Sequence, residues 1–299
     1  ASGSMDDPMG GGDKTKRIDA LKNAANSFVD EIANQNATVK DAAKQHQVAI
    51  VKFAGDKTDK VGNDTYYDGR NWYNYSQVMK TLAPCTNDTK GDFSSQVNAI
   101  KPAGATNAAA GLELAEGQTS GRSDAKKVVI FFTDGKPTTQ STFDPGVASS
   151  AVGSAKKMKD AGAAVYSIGI FEGADPAKYP NEQSVSNENK FMHAVSSNYP
   201  SATYQKDVWN RYKWSFGDRA KGSDGKDATF YKSATNADEL KHVFDDISKE
   251  IIKGAGYPTE TSEGYESTTG YITFDDQLGD YMQVTDLSKL VYNGTVYGC

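Results

Sequence analysis

The stretch KKVVIFFTDG, Lys126 to Gly135, decides how the rest of the chain reads. Val128 to Phe132 is an unbroken run of β-branched and aromatic residues, which predicts a strand buried on both faces. Asp134-Gly135 stops it, as that dipeptide stops strands elsewhere. Two similar runs flank it, VAIVKFA (48–54) and AAVYSIGIF (163–171). Helical patterns lie between and around them. Ile18, Leu21, Ala25, Phe28 and Ile32 recur at helical spacing within RIDALKNAANSFVDEI, one apolar stripe on an amphipathic helix. TNAAAGLELAEG (106–117) is rich in Ala, Leu and Glu. PGVASSAVGSAKKMKDAG (145–162) opens on Pro and closes on Gly, the asymmetry of helix ends. A last helix carries Leu240, Val243, Phe244, Ile247 and Ile251 as its stripe, with Thr235 and Asp238 as a capping box and Gly254 as its close.

Strand alternating with helix predicts an α/β fold: a doubly wound, mostly parallel sheet of the Rossmann-like type. Such sheets bind ligands where the carboxyl ends of strands lead into loops. Two long aromatic and polar stretches interrupt the alternation, 56–98 and 172–229, and are expected to form insertion arms beside the site. After Gly254 the pattern changes to short alternating strands, YITF, YMQV and KLVYNGTVY, the last with Asn293-Gly294 as a hairpin signal. The expected organisation is therefore an α/β domain over 1–254 and part of an all-β sandwich over 255–299, completed by sequence outside this chain.

Composition bounds the function. The 299 residues carry a net charge of −6, with 37% hydrophobic and 24% charged residues. The pI is about 5.2 and mean hydropathy −0.64. An acidic chain does not present the basic face that nucleic acid requires. No apolar run reaches the roughly 18 residues of a membrane helix, so no membrane insertion is expected. The two cysteines, Cys85 and Cys299, lack metal-binding spacing. A single disulfide between them and two unpaired thiols both stand as readings.

The oxygen side chains at strand ends carry the chemistry. Ser2 and Ser4 lie in the opening ASGSMDD, Thr106 follows KPAGA, and Asp134 ends the central strand. Three hydroxyls and one carboxylate form a hard-oxygen set suited to Mg²⁺, with Mn²⁺ or Ca²⁺ as alternatives. So few carboxylates leave the cation's charge partly uncompensated, and it then attracts an anionic ligand such as a carboxylate from another protein. Asp6 and Asp7 are candidates for the rim, with a solvated loop as the plainer reading. No catalytic residue is expected: Gly-x-Ser-x-Gly is not met, GGGDK lacks phosphate-loop spacing, and Cys85 with His193 has no local signature of a nucleophile pair.

On these residues the chain resembles a von Willebrand factor type A domain with a metal-ion-dependent adhesion site. Ser2-Gly3-Ser4 matches the serines of the family's Asp-x-Ser-x-Ser, Thr106 its threonine, and Asp134 in FTDG its later aspartate. The family's leading Asp falls immediately before Ala1 and its first strand ahead of that, so both are expected upstream in the intact polypeptide. The arms and trailing β segment are similar to tip adhesins of Gram-positive pili and related cell-wall proteins. That resemblance implies an extracellular, cell-surface adhesin and no enzyme. Its partners would be a host protein or glycan, and other pilus subunits or an N-terminal segment of the same polypeptide. A structural pilus module with a vestigial metal site is the alternative.

Overall fold

The computed structural model describes residues 1–58, 64–120, 125–222, 225–254, 289–292 and 295–298. The chain forms two units, Ala1–Ala255 and Gly256–Cys299.

In the first unit the elements run β1 (Pro8–Gly10), β2 (Asp13–Lys16), α1 (Arg17–Asn36), β3 (Gln47–Lys52), β4 (Thr65–Tyr67), β5 (Trp72–Asn74), β6 (Gln77–Pro84), α2 (Lys90–Ala99) and α3 (Ala108–Thr119). They continue with β7 (Val128–Thr133), α4 (Pro145–Asp160), β8 (Ala164–Gly169), α5 (Asn187–Val195), β9 (Thr203–Lys206), β10 (Tyr212–Ser215), β11 (Tyr231–Ser233) and α6 (Ala237–Gly254). β7, β8 and β11 form a parallel sheet in which β8 is central, in register from Val128 opposite Ala164 to Thr133 opposite Gly169. β3 and β6 form a separate antiparallel pair.

The apolar run at the centre of the sequence does what a doubly covered strand must. Successive side chains point to opposite faces. Val129 and Phe131 join the layer built from Leu112 of α3, Val152 and Met158 of α4 and Phe191 of α5. Val128, Ile130 and Phe132 pack instead against the layer of Ile18 of α1 and Leu240 and Ile247 of α6. The fold is thus an α/β layering with helices on both faces of β7. Among the described residues, β3 pairs only with β6 and β7 only with β8. Between them lies a cavity of about 240 Å³, walled by both strands and by Leu21 of α1 and Leu112 of α3.

The stretch 56–98 divides, and its second half is not an arm. β4 and β5 make a hairpin, with Tyr66 opposite Tyr73, but β6 belongs to the framework beside β3 and α2 packs Phe93 into a buried cluster with Val29 and Ile32. The short strand QVMKTLAP buries Gln77 and Met79 on alternate positions, a signal hidden by the Tyr- and Asn-rich sequence before it. The stretch 172–229 likewise packs inward. Phe191, Met192, Tyr199, Tyr204 and Phe216 all belong to the main core, and Tyr204 and Trp214 stack at 3.8 Å between centroids across the β9–β10 hairpin. The hairpin tip, with Val208 and Trp209, stands exposed. Aromatic side chains bury large apolar areas whether or not they also bind, so their abundance marks a local core here.

The last helix is capped one residue later than the expected box. Asn236 Oδ1 accepts from Glu239 N–H at 2.8 Å, while Glu239 reaches back to the Thr235 N–H and hydroxyl, each at 2.7 Å. Asn236 caps the helix, while the Glu239 carboxylate takes up Thr235, one residue before the cap, so the two bonds are not the reciprocal pair of a closed capping box. In the second unit β12 (Lys289–Tyr292) and β13 (Thr295–Gly298) pair antiparallel, Tyr292 opposite Thr295. Asn293-Gly294, YITF, YMQV and Cys299 lie outside the described residues.

Candidate metal centre

The opening loop is folded against 101–104. Gly3 N–H donates to Gly104 O at 2.9 Å, Ala103 N–H to Ala1 O at 3.0 Å, and the Asn74 amide to Ala1 O at 3.2 Å. Gly3–Asp6 is a single 3₁₀ turn, so Ser2 and Ser4 stand together, their Oγ atoms 3.1 Å apart. Gly104 permits this approach because it holds φ +90°, and a Cβ there would sit 2.5 Å from Tyr73 Cδ1.

Asp134 arrives from the end of β7. The Thr133 hydroxyl donates to Gly135 O at 3.1 Å and accepts from Gly135 N–H at 3.3 Å, closing the turn that presents the carboxylate. Ser2 Oγ donates to Asp134 Oδ1 at 2.9 Å. Asp134 is 5% exposed, and its other oxygen, Oδ2, is buried without a hydrogen-bond partner. A buried carboxylate oxygen left so costs more than the roughly 1–3 kcal/mol of a neutral group. Thr106, 6% exposed, is pinned by reciprocal backbone bonds with Thr138, 3.1 and 3.0 Å, just before the Asn107 cap of α3. Thr106, Ser2 and Asp134 line the same cavity.

Ser2, Ser4 and Asp134 therefore form one contiguous hydrogen-bonded set, and Thr106 shares its wall. Asp6 and Asp7 stand apart from it. Asp6 is paired with Lys16 at 2.8 Å, and Asp7 lies 3.9 Å from Arg17; both carboxylates are well exposed. Among the described residues no three His, Cys, Asp or Glu side chains group as a metal-binding cluster, so an ion here must rely on hydroxyls beside one carboxylate. Cys85 is a buried free thiol whose hydrogen points to Val29 O at 3.6 Å, and burial pushes its pKa up to about 11. His193 is fully buried in α5 between Tyr199 and Tyr231, a packed side chain with no place in the site.

Two residues at the site have no counterpart in the sequence reading. Arg17, the first residue of α1, places Nη1 3.6 Å from Asp134 Oδ2 and 3.4 Å from Ser4 O. Lys52, at the end of β3, lines the cavity with its side chain 2% exposed and pairs with Asp64 at 3.3 Å. Arg17 begins α1 after the β1–β2 hairpin, ten or more residues beyond the serines, and no local pattern in the sequence marks it as part of the site.

A known family matches the chain. The von Willebrand factor type A domain model matches residues 1–206. The chain belongs to that family. No curated protein matches it. Among solved structures the type A domain is similar to pilus adhesin SpaC from Lactobacillus rhamnosus GG, with TM-score 0.53 and 18% identity over 85% of this chain and 30% of that one. PilB minor pilin from Streptococcus sanguinis gives TM-score 0.53 and 15% identity over 86% of this chain and 61% of that one. The vWF domain of the type V pili tip protein Mfa5 from Porphyromonas gingivalis gives 0.50 and 11% over 82% and 91%. At these identities the likeness is one of fold, and the chain spans 30% of SpaC and 61% of PilB. No helix among the described residues is long and apolar enough to cross a membrane.

Proposed function

We propose that this type A domain is a metal-dependent adhesin module of an extracellular surface or pilus protein. The observation that carries the reading is the Asp134 carboxylate: buried, aligned by Ser2 through Oδ1, and without a hydrogen bond at Oδ2. A buried anion with one oxygen free of hydrogen bonds, linked through Ser2 to Ser4 and sharing a cavity wall with Thr106, suits a hard divalent cation. Ser2, Ser4, Thr106 and Asp134 would hold Mg²⁺, or Mn²⁺ or Ca²⁺ in its place. When bound, the cation supplies a Lewis-acidic position for an incoming carboxylate or hydroxyl. The chain's own groups then fix the loop, orient the ligands and exclude water beneath them. Among the described residues nothing placed at the site is a general base, which favours binding over hydrolysis. The partner is a protein or glycan of a host or cell surface, and the pilus proteins similar in fold support that setting.

The gap between β3 and β7 belongs to the same reading. Two strand edges without a partner among the described residues, facing one largely apolar cavity, make an incomplete sheet. A single extended apolar strand completes it, and an N-terminal segment of the same polypeptide is the partner proposed for that place.

The test is adhesion of the purified protein to host matrix proteins and glycans, with Mg²⁺, with chelator, and with Asp134→Ala. Binding lost under both treatments supports the adhesin. Mg²⁺-independent assembly with other pilus subunits supports the alternative, a structural module with a vestigial site.

A further inference from the structure

Asp134 brings a carboxylate to a place where it is 5% exposed, and Ser2 supplies only a neutral hydrogen bond to it. The cation nearest its free oxygen belongs to the chain itself. Arg17 Nη1 lies 3.6 Å from Asp134 Oδ2. That distance is too long for a hydrogen bond and short enough for strong Coulomb attraction in a partly buried place. The same Nη1 donates to Ser4 O at 3.4 Å and stands 3.9 Å from Asp7 Oδ2. Arg17 Nε is buried without a partner, and its side chain is 17% exposed. The guanidinium is therefore held by charge and one long hydrogen bond, without the bidentate grip that arginine makes with a carboxylate when a pair is built for permanence.

We propose that Arg17 is the internal counter-cation of Asp134, the charge that a divalent ion must work against to occupy the site. Resting on the metal-site reading, this assigns Arg17 two effects of opposite sign. Without metal it compensates Asp134 and stabilises the fold. With metal it repels the ion and weakens its binding. An arginine cannot shed its proton to relieve that repulsion, so the guanidinium must swing toward Asp7 and solvent or tolerate the ion. The site is thereby set to release its cation readily and to hold it more firmly once a ligand carboxylate adds negative charge.

The experiment uses the full chain and MgCl₂ alone as the probe. In chelator, thermal melts of wild type, Arg17→Gln, Asp134→Asn and the double variant form a cycle. Arg17→Gln is expected to lower the melting temperature clearly when Asp134 is intact and little when it is combined with Asp134→Asn. Additive effects overturn the pairing. In calorimetry Arg17→Gln is expected to bind Mg²⁺ about tenfold more tightly, and Arg17→Lys, which keeps the charge, to stay near wild type. Weaker or unchanged Mg²⁺ binding in Arg17→Gln overturns the proposal and leaves Arg17 a loop anchor through Ser4 O. If neither protein binds Mg²⁺ while the cycle still shows coupling, the metal-site reading fails and competition with an ion fails with it.

Discussion

Ser2 Oγ donates 2.9 Å to Asp134 Oδ1, joining two residues 132 positions apart. That bond is what makes the opening loop and the end of β7 one site. Ser2→Ala removes a side-chain donor from a carboxylate that stays buried. A loss of about 1–3 kcal/mol is expected in chelator, with weaker Mg²⁺ binding, measured by urea unfolding and calorimetry. Unchanged stability together with unchanged Mg²⁺ affinity would remove Ser2 from the site.

Gly104 is the hinge on which the loop rests. It takes φ +90°, accepts from Gly3 N–H, and leaves no room for a Cβ beside the Tyr73 backbone, 2.9 Å from its Cα. Gly104→Ala is expected to cost roughly 2–4 kcal/mol from backbone strain and overpacking. Chemical denaturation checks the cost, and a crystal structure of the variant checks the loop. A negligible cost, or an unmoved loop, speaks against this role.

His193 gives the fold an acid sensitivity. Burial, and then the charge of Arg219, push its pKa down to about 4 from the ordinary 6.5. The native protein keeps it neutral while the unfolded chain protonates it, so stability falls as pH drops from about 6.5 to about 4 and the loss is complete below that. The contribution is roughly 3 kcal/mol. Denaturation at about pH 7 and about pH 4.5, either side of most of that window, should show a smaller drop for His193→Gln than for wild type. Equal drops contradict it.

The edges of β3 and β7 that have no partner among the described residues make a prediction in trans. A short Val- and Ile-rich peptide with flanking lysines should raise the melting temperature in a concentration-dependent way. The same peptide with a central proline should not, since proline cannot complete a ladder. No shift, or equal shifts from both peptides, argues against a strand seat between β3 and β7.

Much of this was legible in the sequence, for physical reasons that differ by element. β7, β8 and β3 announced themselves because a strand covered on both faces must be continuously apolar. α1 did so through its apolar stripe, and α4 through Pro145 at its start and Gly162 past its end. Ser2, Ser4 and Asp134 are expected as partners from the sequence, and the structure links both Ser4 and Asp134 to Ser2 by hydrogen bonds. β6 escaped because its alternation is short and sits beside an aromatic hairpin. The inward packing of 172–229 escaped because a Tyr or Trp reads alike in a core and on a surface. Arg17 escaped because its role depends on a carboxylate from a strand far along the chain. Charge pairing across such a separation leaves no local pattern.

The most direct test of the metal site is isothermal calorimetry of MgCl₂ into the chelator-treated protein, run beside Asp134→Asn, which keeps the shape of the side chain and removes its charge. The wild type is predicted to bind one ion per chain and the variant none measurable. No heat from the wild type, or equal binding by both proteins, would contradict a cation held by Asp134.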